Sequence, residues 1–263
     1  MSRIATIACV VWMEMIRRKD VYVLLILLGA LLVALVSLDV FGLGGVAGYV
    51  KEVGLLMAWV LGWILAISVS SRELPQEESR GTIYSLLAKP VTRFEIIAGK
   101  WLGAWTVVCA AVLLFYILVI GVVIGKGGGF NTLTLLQGYL MHCAVLAILC
   151  AIGLGFSTRL NHDAAASISF VLTAASFTIV PRIPEFMATE TGIRAGFLMF
   201  LYNFLPHFEV FDMRLLISHS FNPISWKVFF MALAYGMALT SVAILLAWIA
   251  YRNKRFSRGS LAQ

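Results

Sequence analysis

A chain of 263 residues with 61% apolar and only 13% charged side chains, and a mean hydropathy of +0.96, lies outside the range of soluble globular domains. Several windows exceed the roughly 18 uncharged apolar residues that mark a membrane crossing, and their unbroken apolar character excludes a β-barrel, whose strands of about 10 residues alternate. The formal net charge of +7 then reads as the Lys and Arg excess that orients membrane proteins, not as a nucleic-acid surface. The expected class is an all-α polytopic membrane protein, one transmembrane domain over 1–263.

Residues 1–19 place Ile4, Ile7, Ala8, Val11, Trp12, Met15 and Ile16 at helical spacing, with Arg3, Thr6, Glu14 and Arg17 on the other side. That is the pattern of an interfacial amphipathic helix, here ending in Arg17-Arg18-Lys19. Six spans are expected after it, at 21–38, 54–71, 101–124, 133–156, 164–180 and 228–251. Residues 39–52 read as a Gly-rich turn, and Gly125 to Gly129 as another. Segment 181–227, broken by Pro184, Pro206 and Pro223, reads as external with one or two interfacial or re-entrant helices. With the N-terminus inside, 14 of the 20 Lys and Arg fall on the cytoplasmic side, which places both termini there. Cys109, Cys143 and Cys150 lie in apolar runs and Cys9 near the N-terminus, so no disulfide framework is indicated.

Between spans 2 and 3, residues 72–100 carry nine charges of mixed sign. Each would cost roughly 2.5–3.5 kcal/mol in hydrocarbon, so the segment belongs at an intracellular or extracellular surface, and the Lys and Arg count puts it on the cytoplasmic one. Residues 77–87 are expected to form a short helix, acidic at Glu77 and Glu78 and apolar at Ile83, Leu86 and Leu87. Pro90 ends it. Thr92 and Glu95 make a Thr-x-x-Glu capping box for the next helix, and Lys100, two turns in, is placed to snorkel to the headgroups.

Glu77-x-x-Arg80-Gly81-Thr82, Leu86-Leu87, Pro90-Val91, Arg93 and Gly99-Lys100 resemble the cytoplasmic signature of six-span permease subunits of ATP-binding-cassette (ABC) exporters. The resemblance extends over nearly the whole chain. It implies a coupling helix gripped by a separate cytosolic ABC ATPase, with Glu77, Glu78, Arg80, Gly81, Thr82, Leu86, Pro90 and Arg93 as coupling residues. It implies a second permease subunit, homo- or heterodimeric, a bacterial-type cytoplasmic membrane, and ATP and Mg bound by the partner, with no cofactor and no catalytic site in this chain.

Other candidates weigh less. Gly121 to Gly127 resembles a phosphate loop but has three residues between its glycines and no Ser or Thr after Lys126. Glu77-Glu78-Ser79-Arg80 is one residue short of an embedded-protease motif and has no metal-ligating histidines to complete it. His142, inside span 4, is a functional suspect as any intramembrane polar residue is. As a copper or haem ligand it would make the chain a non-transporting anchor of a redox or signalling complex, whereas the blander reading is a hydrogen-bonded packing residue. His207, Glu209, Asp212 and His219 read as polar residues of an external segment rather than a metal site. Gly99-x-x-x-Gly103 and Gly121-x-x-x-Gly125 permit close helix packing and would suit a dimer-facing third span. The spans hold no carboxylates for ion coupling, which counts against a secondary transporter.

Overall fold

The computed structural model describes residues 3–37, 46–81, 91–189, 192–252 and 254, and among these every regular element is helical. The apolar runs become α1 (Arg3–Arg17), α2 (Asp20–Ser37), α3 (Val46–Ser79), α4 (Arg93–Gly125), α5 (Thr132–Ser157), α6 (His162–Ile179), α7 (Ile183–Thr189), α8 (Ile193–Phe204), α9 (Arg214–Ser218) and α10 (Trp226–Arg252). Five stretches are each long and apolar enough to cross a membrane: Ala47–Ser79, Arg93–Gly125, Thr132–Ser157, His162–Met187 and Trp226–Arg252. A sixth arises if Arg3–Arg17 and Val21–Ser37, bent by 53° at their junction, count as one.

Two boundaries move from their expected places. α3 has 34 residues and α4 has 33, about 50 Å each at 1.5 Å per residue, against a hydrocarbon core of about 30 Å. α3 starts inside the expected turn and runs through Pro75 to Ser79. An internal proline costs a helix about 3 kcal/mol. Here packing outweighs it, because Leu74 beside the proline is fully buried with Ile97, Leu154, Ala247 and Tyr251. At the other end Lys51 is absorbed into the helix because Ser220 Oγ accepts from its Nζ at 3.0 Å and the Phe130 ring lies 4.9 Å away. Residues 77–79 therefore finish α3 and do not begin a separate helix. Gly81 adopts φ +69° just beyond, a left-handed conformation that stops a helix and that glycine alone enters without strain. The rest of the expected coupling helix, 82–87, and Pro90 lie outside the described residues.

The expected start of the next helix is as read. Glu95 N donates to Thr92 Oγ1 at 3.2 Å and Thr92 N donates to Glu95 Oε2 at 2.7 Å, a complete capping box on α4. The Gly125–Gly129 turn also forms, with Gly127 at φ +74°.

α4 and α5 pack antiparallel in a register fixed by polar side chains. Trp101 Nε1 donates to Ala147 O, Trp105 Nε1 to Cys143 O, and Tyr139 OH to Cys109 O, at 2.9–3.0 Å. Each four-residue step along α4 is thus met by four back along α5, one helical turn per bond. Bonds of this kind between membrane helices contribute about 0.6–2 kcal/mol each.

The Gly99-x-x-x-Gly103 face does not look toward another subunit. A Cβ at Gly99 would come within 2.8 Å of Ile7 Cβ, and one at Gly103 within 2.7 Å of Val11 Cβ and 3.0 Å of Ala8. α1 occupies that groove, burying Ala8, Val11 and Met15, and Trp12 Nε1 donates to Thr106 Oγ1 at 2.8 Å. The apolar stripe of α1 is therefore covered by α4 over three turns. Gly121 and Gly125 face open space.

At the end of the bundle opposite residue 93, the segment after α8 is laid over α5. Gln137 Nε2 donates to Ile224 O and Ile224 N donates to Gln137 Oε1, both at 3.0 Å. Thr134 Oγ1 donates to Phe221 O at 2.9 Å. This part of the segment read as external thus caps the helix core through the core's own polar side chains.

Candidate functional site at the charged end of the bundle

Glu73 and Glu77 lie one turn apart on α3, so both carboxylates leave the same face. Both reach Lys100 of α4, whose Nζ stands 2.9 Å from Glu73 Oε2 and 2.7 Å from Glu77 Oε1. Side-chain exposure is 3% for Lys100, 4% for Glu73 and 22% for Glu77. Lys100 therefore does not snorkel to headgroups; it is enclosed. A buried ion costs several kcal/mol unless a close partner offsets it, and the spacing of the glutamates supplies two. The triad pins the two helices together near the end of α3 and the start of α4.

Further ion pairs surround this point. Glu14 of α1 accepts from Arg18 at 2.8 Å and from Arg80 at 3.3 Å, and Arg18 also donates to Gln76. Lys254, after α10, donates to Glu78 at 2.5 Å. Arg93 NH1 donates to the carbonyls of Tyr251, Arg252 and Lys254 at 2.7–3.0 Å. Tyr251 and Arg252 are the last residues of α10, whose final carbonyl oxygens have no intrahelical partner and favour a cation. Arg72 Nε donates to His162 Nε2 at 3.1 Å, which leaves Nδ1 to carry the proton and donate to Ser71 Oγ at 3.0 Å. Through these contacts α1, α3, α4, α6 and α10 are all tied together at one end.

The expected coupling residues divide accordingly. Glu77 turns inward to Lys100, Glu78 to the C-terminal segment, Arg80 to α1 and Arg93 to α10. Gly81 ends α3, while Thr82, Leu86 and Pro90 lie outside the described residues. Glu73, Glu14 and Lys254 are not read from sequence as site residues, and Lys100 is read there only as a snorkelling lysine within the resemblance. The i, i+4 spacing of Glu73 and Glu77 opposite a lysine near the start of the next helix was the available signal.

The remaining candidates do not assemble. His142 is fully buried and stacked on Trp59 at 4.8 Å and 13°, with Tyr116 at 5.9 Å. Neither ring nitrogen has a hydrogen-bond partner among the described residues. It is a packing residue without the expected hydrogen bond, set against Gly62, where a Cβ would stand 2.9 Å from its Nε2. Asp212 holds Arg214 at 2.6 Å, the Tyr235 hydroxyl accepts from His207 N at 3.1 Å, and His219 lies 3.6 Å from Glu52. No three His, Cys, Asp or Glu side chains converge on a metal position among the described residues. The Gly121–Gly127 stretch lies at the end of α4 away from the charged belt.

No curated protein matches the chain. A family model described as ABC-2 family transporter protein matches residues 10–252, from the middle of α1 to the last residue of α10. A helical bundle with five or six stretches fit to cross a membrane and a match over almost its whole length lead to one assignment: this integral membrane protein belongs to the ABC-2 transporter family.

Proposed function

We propose that the chain is the permease subunit of an ATP-driven exporter. A separate cytosolic ATPase binds ATP and Mg and drives it, and a second permease subunit completes the path across a bacterial-type cytoplasmic membrane. The charged end and both termini face the cytoplasm, as the Lys and Arg count indicates. The observation that carries the reading is the belt itself. The 80–92 connection leaves α3 at a left-handed Gly81 and enters α4 at a complete capping box. Between its two ends the Glu73–Lys100–Glu77 triad ties α3 to α4.

Force on this connection therefore moves α3 and α4 together. It reaches α1 through Arg80–Glu14, and α10 through Arg93 and Glu78–Lys254. An ATPase that binds one arrangement of this belt more tightly when loaded with ATP shifts the bundle between inward and outward access. Arg80, with a side chain 59% exposed, and Gly81 are the described residues placed for contact with it, and Thr82, Leu86 and Pro90 complete the proposed contact.

The test is affinity purification of the tagged chain from its native membrane, wild type against Arg80→Glu. The expected result is an ATPase that accompanies the wild type and is lost, or no longer stimulated, with the variant. Absence of any ATPase from the wild-type complex, or unchanged association and stimulation in the variant, would refute the proposal.

A further inference from the structure

α5, α6 and α10 do not close on one another toward the charged end. Ala151 and Gly155 of α5 face Ala243 and Ala247 of α10, and a Cβ at Gly155 would lie 3.7 Å from Ala247 Cβ. The two helices approach closely there, yet the small side chains leave the space toward α6 unfilled. The result is an apolar groove of about 480 Å³ walled by Phe156 and Leu172, with Arg159 at its end in the turn after α5.

Arg159 differs from the cations around it. Arg72, Arg80, Arg93, Lys100 and Lys254 are all engaged by protein groups. Arg159 is exposed, and no side chain among the described residues pairs with its guanidinium. It stands where two membrane-crossing helices turn, the level at which lipid phosphates lie. A guanidinium binds phosphate through two parallel hydrogen bonds.

We propose that this groove is a specific binding site for one anionic phospholipid, with an acyl chain against Gly155, Leu172, Ala243 and Leu246 and the phosphate on Arg159. A narrow concave slot of small side chains takes a flexible chain, and a single unpaired cation at its mouth selects the headgroup. The inference does not depend on the exporter reading.

The experiment is native mass spectrometry of the purified chain after incubation with equal amounts of phosphatidylglycerol and phosphatidylcholine of identical acyl chains. One retained phosphatidylglycerol is expected, preferred roughly fivefold, the size of one juxtamembrane cation acting on an anionic lipid. Arg159→Gln is expected to abolish the preference while retaining lipid, and Ala243→Phe to abolish retention of both lipids. Equal retention by the wild type would overturn the proposal, as would a preference that survives Arg159→Gln. If Ala243→Phe instead separates dimers into monomers, the groove is an interface between copies and the lipid site is refuted. Since Ala243→Phe also perturbs packing, the exposed Arg159→Gln carries the decision if the filled variant does not fold.

Discussion

Replacing Lys100 with methionine separates an enclosed lysine from one that reaches the headgroups. In the structure Lys100→Met leaves two carboxylates one turn apart on α3, one of them 4% exposed, with no cation between them. Removing one partner of a buried ion pair costs about 3–5 kcal/mol. Glu73 bears most of that, because Glu77, at 22% exposed, retains some access to water. At about 2–4 °C per kcal/mol for a chain of this size, melting in mild detergent is expected to fall by roughly 10 °C. A lysine that merely snorkelled would change stability by less than about 0.5 kcal/mol, as surface substitutions do. The triple variant Lys100→Met, Glu73→Gln, Glu77→Gln removes the charges together and is expected to recover at least half of the loss, because the penalty is the uncompensated charge and not the missing attraction. Fluorescence-detected size exclusion after heating reads all three proteins. Lys100→Met melting at the wild-type temperature, or a triple variant no better than the single one, would refute the enclosed triad.

Gly103→Leu is expected to lower the melting temperature sharply, since its Cβ alone meets Val11 Cβ at 2.7 Å and the α1 backbone at 3.0 Å, and overpacking costs about 1–3 kcal/mol even where side chains are able to move. Gly121→Leu, facing open space, is expected to melt as the wild type does; equal effects of the two would remove α1 from the groove. Gln137→Leu deprives Ile224 of bonds to both its N–H and its carbonyl, a loss of about 2–3 kcal/mol, and is expected to speed limited proteolysis between α9 and α10; an unchanged cleavage rate would count against the cap. Glu78→Lys is expected to free the segment after α10, and the swap Glu78→Lys with Lys254→Glu to hold it again. The pair is partly exposed, at 29% and 21%, so its effect on melting stays below about 1 kcal/mol, and protease sensitivity of the C-terminal segment is the readout.

Much of the helical layout was legible because hydropathy is a one-dimensional property. An apolar run long enough to cross lipid has few alternatives to a helix, since every backbone group must be satisfied within the segment. Local chemistry was legible for the same reason: the Thr92–Glu95 box closes within one turn, and the Gly125–Gly129 turn is set by its own residues. What failed were readings that depended on who the neighbour is. Pro75 and the charges after Ser71 look like the end of a span when read along the chain. Leu74 and Glu73 meet α4 and α5 instead, and that packing carries α3 two turns further.

The same ambiguity governs the belt. A lysine two turns inside a membrane helix is a snorkelling residue if its surroundings are lipid and a clamp if two glutamates of the preceding helix stand opposite. Only the antiparallel placement of α3 against α4 decides between them. Gly99 and Gly103 likewise announce that something approaches closely, without saying whether it is a second subunit or the chain's own first helix. Once α1 is seated there, Glu14 is brought to Arg80, and the N-terminal helix becomes part of the charged end rather than a separate attachment. Of the residues taken from sequence as a docking surface, the described charged ones, Glu77, Glu78, Arg80 and Arg93, are thus paired with the bundle itself. A partner that engages them must either act on the few left exposed, Arg80 foremost, or exchange these ion pairs for its own, and the second route would let docking itself loosen α1 and α10.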